Sequence, residues 1–335
     1  RKLENDLGKN ITVVNIKNTK EFLLKIRNKN FLLDSSTCSI FFKNIIKTNN
    51  KIANNRDPIY LLKSMKNKTE IKKLNNFHPI LKSQLPKNIK VLKFSEFKDE
   101  IKDNIDLLVI GVSSKGIEWI GNEISKFYNN TIDILLLTKG LAVIDNKFET
   151  LAEKLNKILI KNDIKNSKIS AVGGPCLANG LVNRVNSSVV LANENLDIVK
   201  NIGKMISTKY YSTEYSDDLI GVEVCAASKN IYSMLIGASE GLSSNSLDNE
   251  IKHKYYLNTA ASLAYKSVSE MKILTNKLNG KAETAYGLSG LGDLYVSSGG
   301  GRNAKMGSYI GEGLTFSEAK KTKMEKVTVE GADLA

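Results

Sequence analysis

The pattern of apolar and polar positions divides the chain into a part with strands and helices and a purely helical part. The first part carries continuous apolar runs of strand length, of which IDLLVIGV (105–112) and IDILLLT (132–138) are the strongest. Such a run, without polar interruptions, is typical of a strand that is buried on both faces of a sheet. Because helical patterns alternate with these runs, we predict a mostly parallel sheet with helices on both of its faces.

The weaker patterns complete this outline. Further strands are predicted at 30–34, 51–55, 88–92, 168–175 and 188–192. Helices are predicted between them at 39–46, 58–75, 116–128 and 148–159. After residue 215 the pattern contains only helices, at 219–242, 255–278, 304–312 and 315–325. Small residues in the first of these, from Gly221 to Ser228, predict the close approach of a second helix.

These patterns predict three segments. Residues 1–29 form a polar and basic extension to which we assign no structure, residues 30–214 form an α/β domain, and residues 215–335 form an all-α domain. The connection between the two domains is expected near residues 205–218, in TKYYSTEYSDD, because the pattern changes near residue 215.

Composition excludes several classes of protein. Hydrophobic residues make up 41% of the 335 positions, charged residues make up 25%, and no run of 18 apolar residues predicts a membrane span. The net charge of +14 comes from lysines scattered through Asn- and Ile-rich sequence. Since there is no stripe of Arg with interleaved aromatic residues, we expect no nucleic-acid partner and a preference for small anionic ligands.

Cysteines and histidines give little support for a metal or disulfide site. Cys38, Cys176 and Cys225 are far apart and form no CxxC pair, which favours a reducing compartment such as the cytoplasm. His78 and His253 are too few for a histidine-based metal site, so we expect no metal. The N-terminus has no signal-peptide pattern, and because it begins with Arg we expect a trimmed start. Its Lys- and Asn-rich composition leaves an organellar address open.

Lys229 is the most informative single residue. It lies in a helical stretch, VCAASKNIYSMLIG (224–237), whose other positions carry no charge. A lysine there is costly unless it faces a polar cavity or an anionic partner, whereas a solvated helix face would tolerate it. The uncharged flanks favour the functional interpretation, in which the amine donates a proton to a carbonyl oxygen or accepts one from an alcohol.

Glycine-rich segments supply the other candidates. GLSGLGDLYVSSGGGRNAK (287–305) contains Asp293, Arg302 and Asn303, and a helix that begins near Asn303 would present free N–H groups to a phosphate. A surface loop with an incidental arginine is the plainer alternative for glycine clusters alone. Lys139 follows a buried strand, and GGPCLANG (173–180) follows another, at the sheet edge where open α/β sheets bind ligands.

Together, these segments resemble the NAD(P)-dependent glycerol-3-phosphate dehydrogenase family from about residue 76 to the end. The order carries the likeness: TKG at 138–140, GPCLA at 174–178, GVEVCAASKN at 221–230, GLGDL with GGGRN within 290–303, and VEG at 329–331. The resemblance implies a Rossmann-type domain followed by a helical substrate domain. It also implies hydride transfer between NAD or NADP and a small phosphorylated substrate, interconverting sn-glycerol 3-phosphate and dihydroxyacetone phosphate for glycerolipid synthesis.

The resemblance also implies roles for individual residues. Lys229 would move the proton, Asp293 would position it, and Lys139 would help to place the reacting carbon. The implied substrate-binding residues are Lys139, Gly174, Asn230, Asp293, Ser297, Arg302 and Asn303. The implied cofactor-binding residues are Ser36, Thr37, Cys38, Arg56, Lys139, Ala178, Arg302 and Glu330. Cys176 replaces a residue that is usually small and polar in the family.

The chain departs from the family pattern in two places. The three glycines of the family's cofactor loop fall on Asp34, Ser36 and Ser39, where an anion would repel the pyrophosphate and side chains would hinder the approach of the backbone. The family continues for several helices after VEG, whereas this chain stops at Ala335, so we expect a C-terminally truncated helical domain.

Three functions remain open at this point. The first is an active glycerol-3-phosphate dehydrogenase, with a homodimer left open. The second is a redox-inactive relative that binds a phosphate ligand or acts as a scaffold, which the altered loop would favour. The third is another hydroxyacid dehydrogenase, against which Arg302 and Asn303 argue.

Overall fold

The computed structural model describes residues 106–333, with gaps at 129, 131, 146, 246–255 and 326, together with short strands before residue 94. Those early strands are β1 (Ile11–Lys17), β2 (Lys20–Ile26), β3 (Asn30–Leu33), β4 (Pro58–Leu62), β5 (Phe77–His78), β6 (Ser83–Gln84) and β7 (Lys90–Lys93). Contacts between Cα atoms divide the chain into two compact units. The first comprises 1–172 and 178–217, and the second comprises 173–177 and 218–335. The predicted extents 1–29, 30–214 and 215–335 stay predictions.

The first unit is built on a mostly parallel sheet. Its later strands are β8 (Leu107–Ile110), β9 (Asp133–Leu136), β10 (Leu141–Ile144), β11 (Lys147–Thr150), β12 (Lys168–Gly173), β13 (Ser187–Ala192) and β14 (Tyr211–Ser216). Within the described residues the strand order is β14-β13-β12-β9-β8-β1-β3-β2-β4-β7. β9 pairs in parallel with β8 and with β12, and β13 pairs in parallel with β14, whereas β2 is antiparallel to its neighbours. β10 and β11 form a separate antiparallel hairpin. The predicted fold class is therefore confirmed.

Local sequence explains why these elements form. All four residues of β8 have no exposed surface, as expected for a strand covered on both faces. Among the described residues of this unit the helices are α1 (Ile117–Ile124), α2 (Leu151–Lys161), α3 (Ala178–Val182) and α4 (Leu196–Ile206). A capping box starts α2, in which the hydroxyl of Thr150 accepts from the Glu153 N–H and the Glu153 carboxylate accepts from the Thr150 N–H.

The second unit contains only helices among its described residues. They are α5 (Leu219–Ser244), α6 (Tyr256–Lys277), α7 (Asp293–Ser298), α8 (Arg302–Gly311) and α9 (Phe316–Thr322), with 3₁₀ turns at Ala282–Tyr286 and Glu330–Asp333 and a π-helical turn at Leu288–Gly292. One apolar cluster joins α5 to α6 through Cys225, Tyr232, Val268 and Met271, and another packs Met306 against Ala319 and Met324.

Backbone contact between α5 and α8 is unusually close. A Cβ atom at Gly237 would overlap the carbonyl oxygen of Ala304, and one at Gly307 would overlap that of Met234. Gly241 and Gly311 repeat the arrangement one turn further along each helix. Glycine is required at these positions because any side chain would push the two helices apart.

Among the described residues, α5 alone is long and apolar enough to cross a membrane by length and composition. However, 67% of its most apolar window is buried within the protein. It also buries the polar side chains of Glu223, Lys229 and Asn230. These features are those of the central helix of the second unit.

Several predicted elements need correction. The helix predicted at 58–75 is wrong at its start, where β4 pairs with β2 and β7. A strand that was not predicted, β14, lies within the expected connection near 205–218 and forms a polar strand at the sheet edge. The hairpin of β10 and β11 was not predicted, nor were β1 and β2 within the extension. The predicted elements at 39–46 and 51–55 lie outside the described residues.

The close approach predicted near Gly221 occurs with a different partner. The backbone that contacts Gly221 is that of Gly280, in the loop after α6, and not a second helix. The glycines that face a second helix lie further along α5, at Gly237 and Gly241.

Candidate active site

Lys229 lies at the centre of a buried polar cluster in the second unit. Its Nζ donates to Asp293 Oδ1 at 2.9 Å and to Ser297 Oγ at 2.6 Å. The three residues are only 8%, 2% and 4% exposed, respectively. A buried ammonium is stable only with good partners, and a carboxylate with a hydroxyl supplies them. The cluster therefore holds a proton-bearing amine in one defined position.

The two helices that build this cluster present its residues by simple periodicity. Asp293 and Ser297 are four residues apart on α7, which places both on one face of the helix, and Ser297 Oγ lies 3.3 Å from Asp293 Oδ1. Asp293 also occupies the first turn of α7, where a carboxylate complements the helix dipole. On α5, the small neighbours Ala226 and Ala227 are fully buried and leave room for the other elements to approach.

A second polar group surrounds the N-terminus of α8. Asn303 Nδ2 donates to Asn230 Oδ1 at 3.0 Å, and the Gly331 N–H donates to Asn303 Oδ1 at 2.9 Å. Glu330 accepts from Asn230 Nδ2 and from Arg302 Nη2, both at 3.4 Å. Since Asn230 follows Lys229 directly on α5, this group and the Lys229 cluster are adjacent.

Arg302 is the outward-facing member of this group. Its side chain is 46% exposed and that of Glu330 is 39% exposed, so their ion pair is accessible to solvent and to anions. The N-cap of α8 is Gly301, which makes no side-chain cap, so the first N–H groups of the helix are not satisfied by a capping side chain. This end of α8 combines a guanidinium with a helix N-terminus, which is the chemistry that phosphate requires.

Three glycines precede this N-terminus and one of them is structurally required. The Gly301 N–H donates to the Ser297 carbonyl at 2.8 Å, and a Cβ atom at Gly301 would overlap that same carbonyl. Gly301 therefore allows α8 to begin directly beside the end of α7. As a result, Ser297 and Arg302 belong to one compact site.

Gly174 belongs to the same unit and has φ of +124°, a conformation that side chains rarely adopt. Its neighbour Gly173 lies against Ser289 and Val222, where an added Cβ would come within 2.7 Å of the Ser289 side chain. Cys176, in the same segment, is half-buried and forms no disulfide bond. The segment thus packs its backbone directly on the π-helical turn that leads to Asp293.

The remaining predicted residues belong elsewhere. Lys139 and Ala178 are in the first unit: Lys139 follows β9 and precedes Gly140, which has φ of +143°, while Ala178 begins α3. Thr138 Oγ1 fixes this loop by donating to the Val112 carbonyl at 2.6 Å. Outside the described residues lie Asp34, Ser36, Thr37, Cys38, Ser39, Arg56 and His253.

Sequence reasoning missed the π-helical turn at Leu288–Gly292. Such turns occur frequently at functional sites, and here the turn delivers Asp293 to Lys229. A Cβ atom at Gly290 would overlap the Ala285 carbonyl, so the glycine spacing in LSGLG was the available signal. Within the described part of the chain, no group of three or more His, Cys, Asp or Glu side chains could hold a metal ion.

Two family models match the chain. The model described as the N-terminus of NAD-dependent glycerol-3-phosphate dehydrogenase matches residues 36–199, and the model described as its C-terminus matches residues 218–335. The first match begins inside the loop predicted to bind the cofactor.

Curated relatives agree with these models. An NADP(+)-dependent glycerol-3-phosphate dehydrogenase from Archaeoglobus fulgidus is 31% identical over 217 residues, which is 65% of this chain and 62% of that protein. A glycerol-3-phosphate dehydrogenase [NAD(P)+] from Clostridium botulinum (strain Eklund 17B / Type B) is 30% identical over 241 residues, 70% of this chain and 67% of the relative. The matches thus span about two thirds of these relatives' length.

Solved structures support the fold. A glycerol-3-phosphate dehydrogenase from Plasmodium falciparum has a TM-score of 0.71 at 21% identity, with 90% of this chain and 81% of that chain covered. The enzyme of the same name from Coxiella burnetii has a TM-score of 0.63 at 24% identity, with 79% and 75% covered.

Proposed function

The chain belongs to the NAD-dependent glycerol-3-phosphate dehydrogenase family, and we propose that it is itself an active dehydrogenase. Its reaction would interconvert sn-glycerol 3-phosphate and dihydroxyacetone phosphate. The observation that carries the proposal is the buried Lys229, held at 2.9 Å by Asp293 and at 2.6 Å by Ser297. A lysine fixed in this way is suited to proton transfer with a carbonyl or alcohol oxygen.

In this proposal the residues of the second unit divide the work. Lys229 Nζ gives its proton to the ketone oxygen during reduction and accepts one from the alcohol during oxidation. Asp293 holds the amine in position, and the charged amine stabilises the developing alkoxide. The substrate phosphate is bound by Arg302, Asn303 and the N-terminus of α8. This site suits an anion because two side-chain donors and the positive end of the helix dipole meet there.

The described residues fit a nicotinamide cofactor, NAD or NADP, whereas the altered loop at Asp34, Ser36 and Ser39 lies outside them. A bound nicotinamide would supply or accept the hydride at C2 of the substrate. Gly174, with φ of +124°, presents backbone without a side chain, and Lys139 follows a buried parallel strand at its carboxyl end, where such cofactors bind. We propose that Lys139, Ala178, Arg302 and Glu330 contact the cofactor, together with Ser36, Thr37, Cys38 and Arg56.

Competition within the Arg302 group supports a separate role for Glu330. Its carboxylate accepts from both Arg302 and Asn230. An arriving phosphate would draw on the same donors, so Glu330 is released to contact the cofactor when the substrate binds. The exposed Arg302–Glu330 pair is weak enough to be exchanged in this way.

We also propose a cytoplasmic location and a role in glycerolipid synthesis. Cys176 and Cys225 form no disulfide bond, which suits a reducing compartment. Sedimentation would test the homodimer that the sequence leaves open.

The test combines cofactor binding with turnover. Binding of NADH and NADPH is followed by fluorescence, and oxidation of either by dihydroxyacetone phosphate is followed by absorbance. For Lys229→Met we expect turnover to fall by about 10³-fold, because general acid catalysis is lost, while cofactor binding is unchanged. Lys266→Met, a change at an exposed lysine of α6, serves as the matched control and should keep full activity. Undiminished turnover in Lys229→Met would refute this assignment.

The redox-inactive alternative predicts a different outcome. A phosphate ligand would still bind to the second unit, but neither NADH nor NADPH would bind at millimolar concentration. Asp34→Gly then tests whether the charge of Asp34 is the reason for weak cofactor binding. If repulsion by Asp34 weakens cofactor binding, this change tightens it, and an unchanged dissociation constant shows that Asp34 does not face the pyrophosphate.

A further inference from the structure

Asp218 is a buried carboxylate that accepts hydrogen bonds from Gly221, Lys281 and Thr284, and it lies outside the polar clusters described above. It is 6% exposed and is the N-cap of α5, where its Oδ1 accepts from the Gly221 N–H at 2.9 Å. Its Oδ2 accepts from the Lys281 N–H at 2.9 Å and from Thr284 Oγ1 at 2.5 Å. One side chain thus joins the start of α5 to the loop that follows α6.

The two joined segments also touch directly. A Cβ atom at Gly280 would lie 2.8 Å from the Gly221 nitrogen and 2.9 Å from its Cα. Neither glycine has room for a side chain, so the loop rests on the backbone of α5 itself. The two segments are therefore in direct van der Waals contact at this point, and neither can move toward the other.

The same two segments meet a second time at the Lys229–Asp293 pair. On α5, Lys229 follows Asp218 by three helical turns, or about 16 Å. On the other segment, Thr284 is connected to Asp293 by a 3₁₀ turn and a π-helical turn. These turns are locked together, since Gly290 lies against the Ala285 carbonyl and the Gly292 N–H donates to the Gly287 carbonyl at 3.1 Å.

We propose that Asp218 is a positioning residue for the proton-transfer pair. It fixes how α5 lies along the segment 281–293, and so sets the separation between Lys229 Nζ and Asp293 Oδ1. The expected effect on kcat rests on the proposed dehydrogenase function. The expected effect on how α5 lies along the segment 281–293 does not depend on the reaction.

Ordinary helix capping does not account for all three bonds. An N-cap needs only the bond to an N–H in the first turn of its own helix. Asn195 meets that need for α4 by accepting from the Asp197 N–H, and Thr315 does so for α9 by accepting from the Glu318 N–H. Asp218 adds two bonds to a segment more than 60 residues away, and that segment carries Asp293.

The experiment uses two variants of this contact and a matched control. Asp218→Ala removes all three bonds, whereas Thr284→Val removes one hydroxyl donor and keeps the shape of the side chain. Thr284→Ser retains the hydroxyl and is the conservative rescue. Thr315→Ala removes a cap of the same kind at α9, away from the pair.

A positioning role predicts a split between the kinetic constants. In Asp218→Ala we expect kcat to fall by about 100-fold, as small misplacements of reacting groups do. In Thr284→Val we expect a loss of about 10-fold. The KM for dihydroxyacetone phosphate should stay within about twofold, because α8 is held to α5 by its own glycine contacts. Thr284→Ser and Thr315→Ala should keep kcat near the wild-type value.

Amide hydrogen exchange provides a readout that does not need activity. Exchange of residues 286–293 should accelerate at least about 10-fold in Asp218→Ala and Thr284→Val, whereas exchange in 302–311 stays unchanged. If those amides keep their protection, or if kcat is retained while they lose it, the inference is wrong. An inactive wild-type protein would instead contradict the proposed function, and the exchange data would still decide the role of Asp218. Should Asp218→Ala fail to fold, Thr284→Val supplies both readouts.

Discussion

Each of the two units is stabilised internally by a different kind of contact. In the first unit, the sheet is covered by apolar side chains: Leu107, Leu108, Val109 and Ile110 are completely buried, and so is Leu135 on the neighbouring strand. In the second unit, α5 and α8 approach until their backbones touch at glycines, and the site is closed by buried polar pairs. Side-chain packing tolerates small rearrangements, whereas backbone contact does not. The proposed chemistry is carried largely by the less tolerant unit.

The largest effect is expected where backbones touch. Gly307→Val should destabilise the second unit by about 4 kcal/mol, because its side chain would overlap the Met234 carbonyl and separate α5 from α8. Removing a glycine from a helix interior would otherwise be favourable or neutral. Hydrogen exchange of α8 measures the change, since exchange reports the stability of each unit separately.

Gly300→Val is the matched control, because no atom lies within 4 Å of a Cβ added at Gly300. It should change stability by no more than about 0.5 kcal/mol. Equal effects of the two substitutions would remove the distinction between backbone contact and side-chain packing.

A smaller effect is expected for a cavity in the first unit. Leu135→Ala removes a fully buried side chain from β9 and should cost about 3 kcal/mol. Trp119, the only tryptophan of the chain, lies on α1 in this unit, so its fluorescence follows the unfolding of the unit. Val143→Ala is the control at a position that is 64% exposed, and it should be nearly neutral.

The tolerance of the first unit is tested by the same variant. Because neighbouring side chains can partly fill the space, Leu135→Ala should leave exchange in α8 unchanged and keep the kcat of the wild-type protein. A loss of protection in both units would show that they do not respond independently.

How far the sequence predicts each unit follows from the same difference. The apolar run at β8 predicts a buried strand because the pattern depends only on consecutive residues. The strand β4, PIYLL, is short and precedes a Lys-rich stretch, so its apolar pattern fits a strand or a helix, and the predicted helix was wrong at its start. β14 was missed because an edge strand needs few apolar positions, and Ser212, Glu214 and Tyr215 are exposed.

The site shows the same limit. Lys229 was identified from its uncharged surroundings, and its buried position agrees with that reasoning. Its contacts with Asp293 and Ser297 span 64 and 68 residues, a separation that no local pattern encodes. Only the resemblance to a family brought these positions together in advance. Asp218 carried no signal at all, because an aspartate before a helix is read as an ordinary cap.

The smallest effect concerns the response of the two units to alkaline pH. Burial raises the pKa of the Cys225 thiol in the second unit from 9.0 to about 11, and burial raises the pKa of Tyr128 in the first unit from 10.0 to about 12. For both groups the pKa in the folded state lies above the pKa in the unfolded state. Their contribution to the free energy of unfolding is therefore fully present below the unfolded pKa, and it is lost as the pH rises through the folded pKa.

Loss of this contribution should therefore begin one pH unit earlier in the second unit than in the first. Between pH 8 and pH 10 the Cys225 thiol alone should remove about 1 kcal/mol from the stability of the second unit. Cys225→Ala abolishes that decrease and leaves the pH response of the first unit unchanged. Tyr128→Phe abolishes the loss of stability of the first unit above pH 10 and leaves the second unit unchanged. Stability profiles from hydrogen exchange at matched pH values measure both. A Cys225→Ala protein whose second unit still weakens by the same amount between pH 8 and pH 10 would show that other groups govern its alkaline limit, since the buried thiol would then contribute nothing to it.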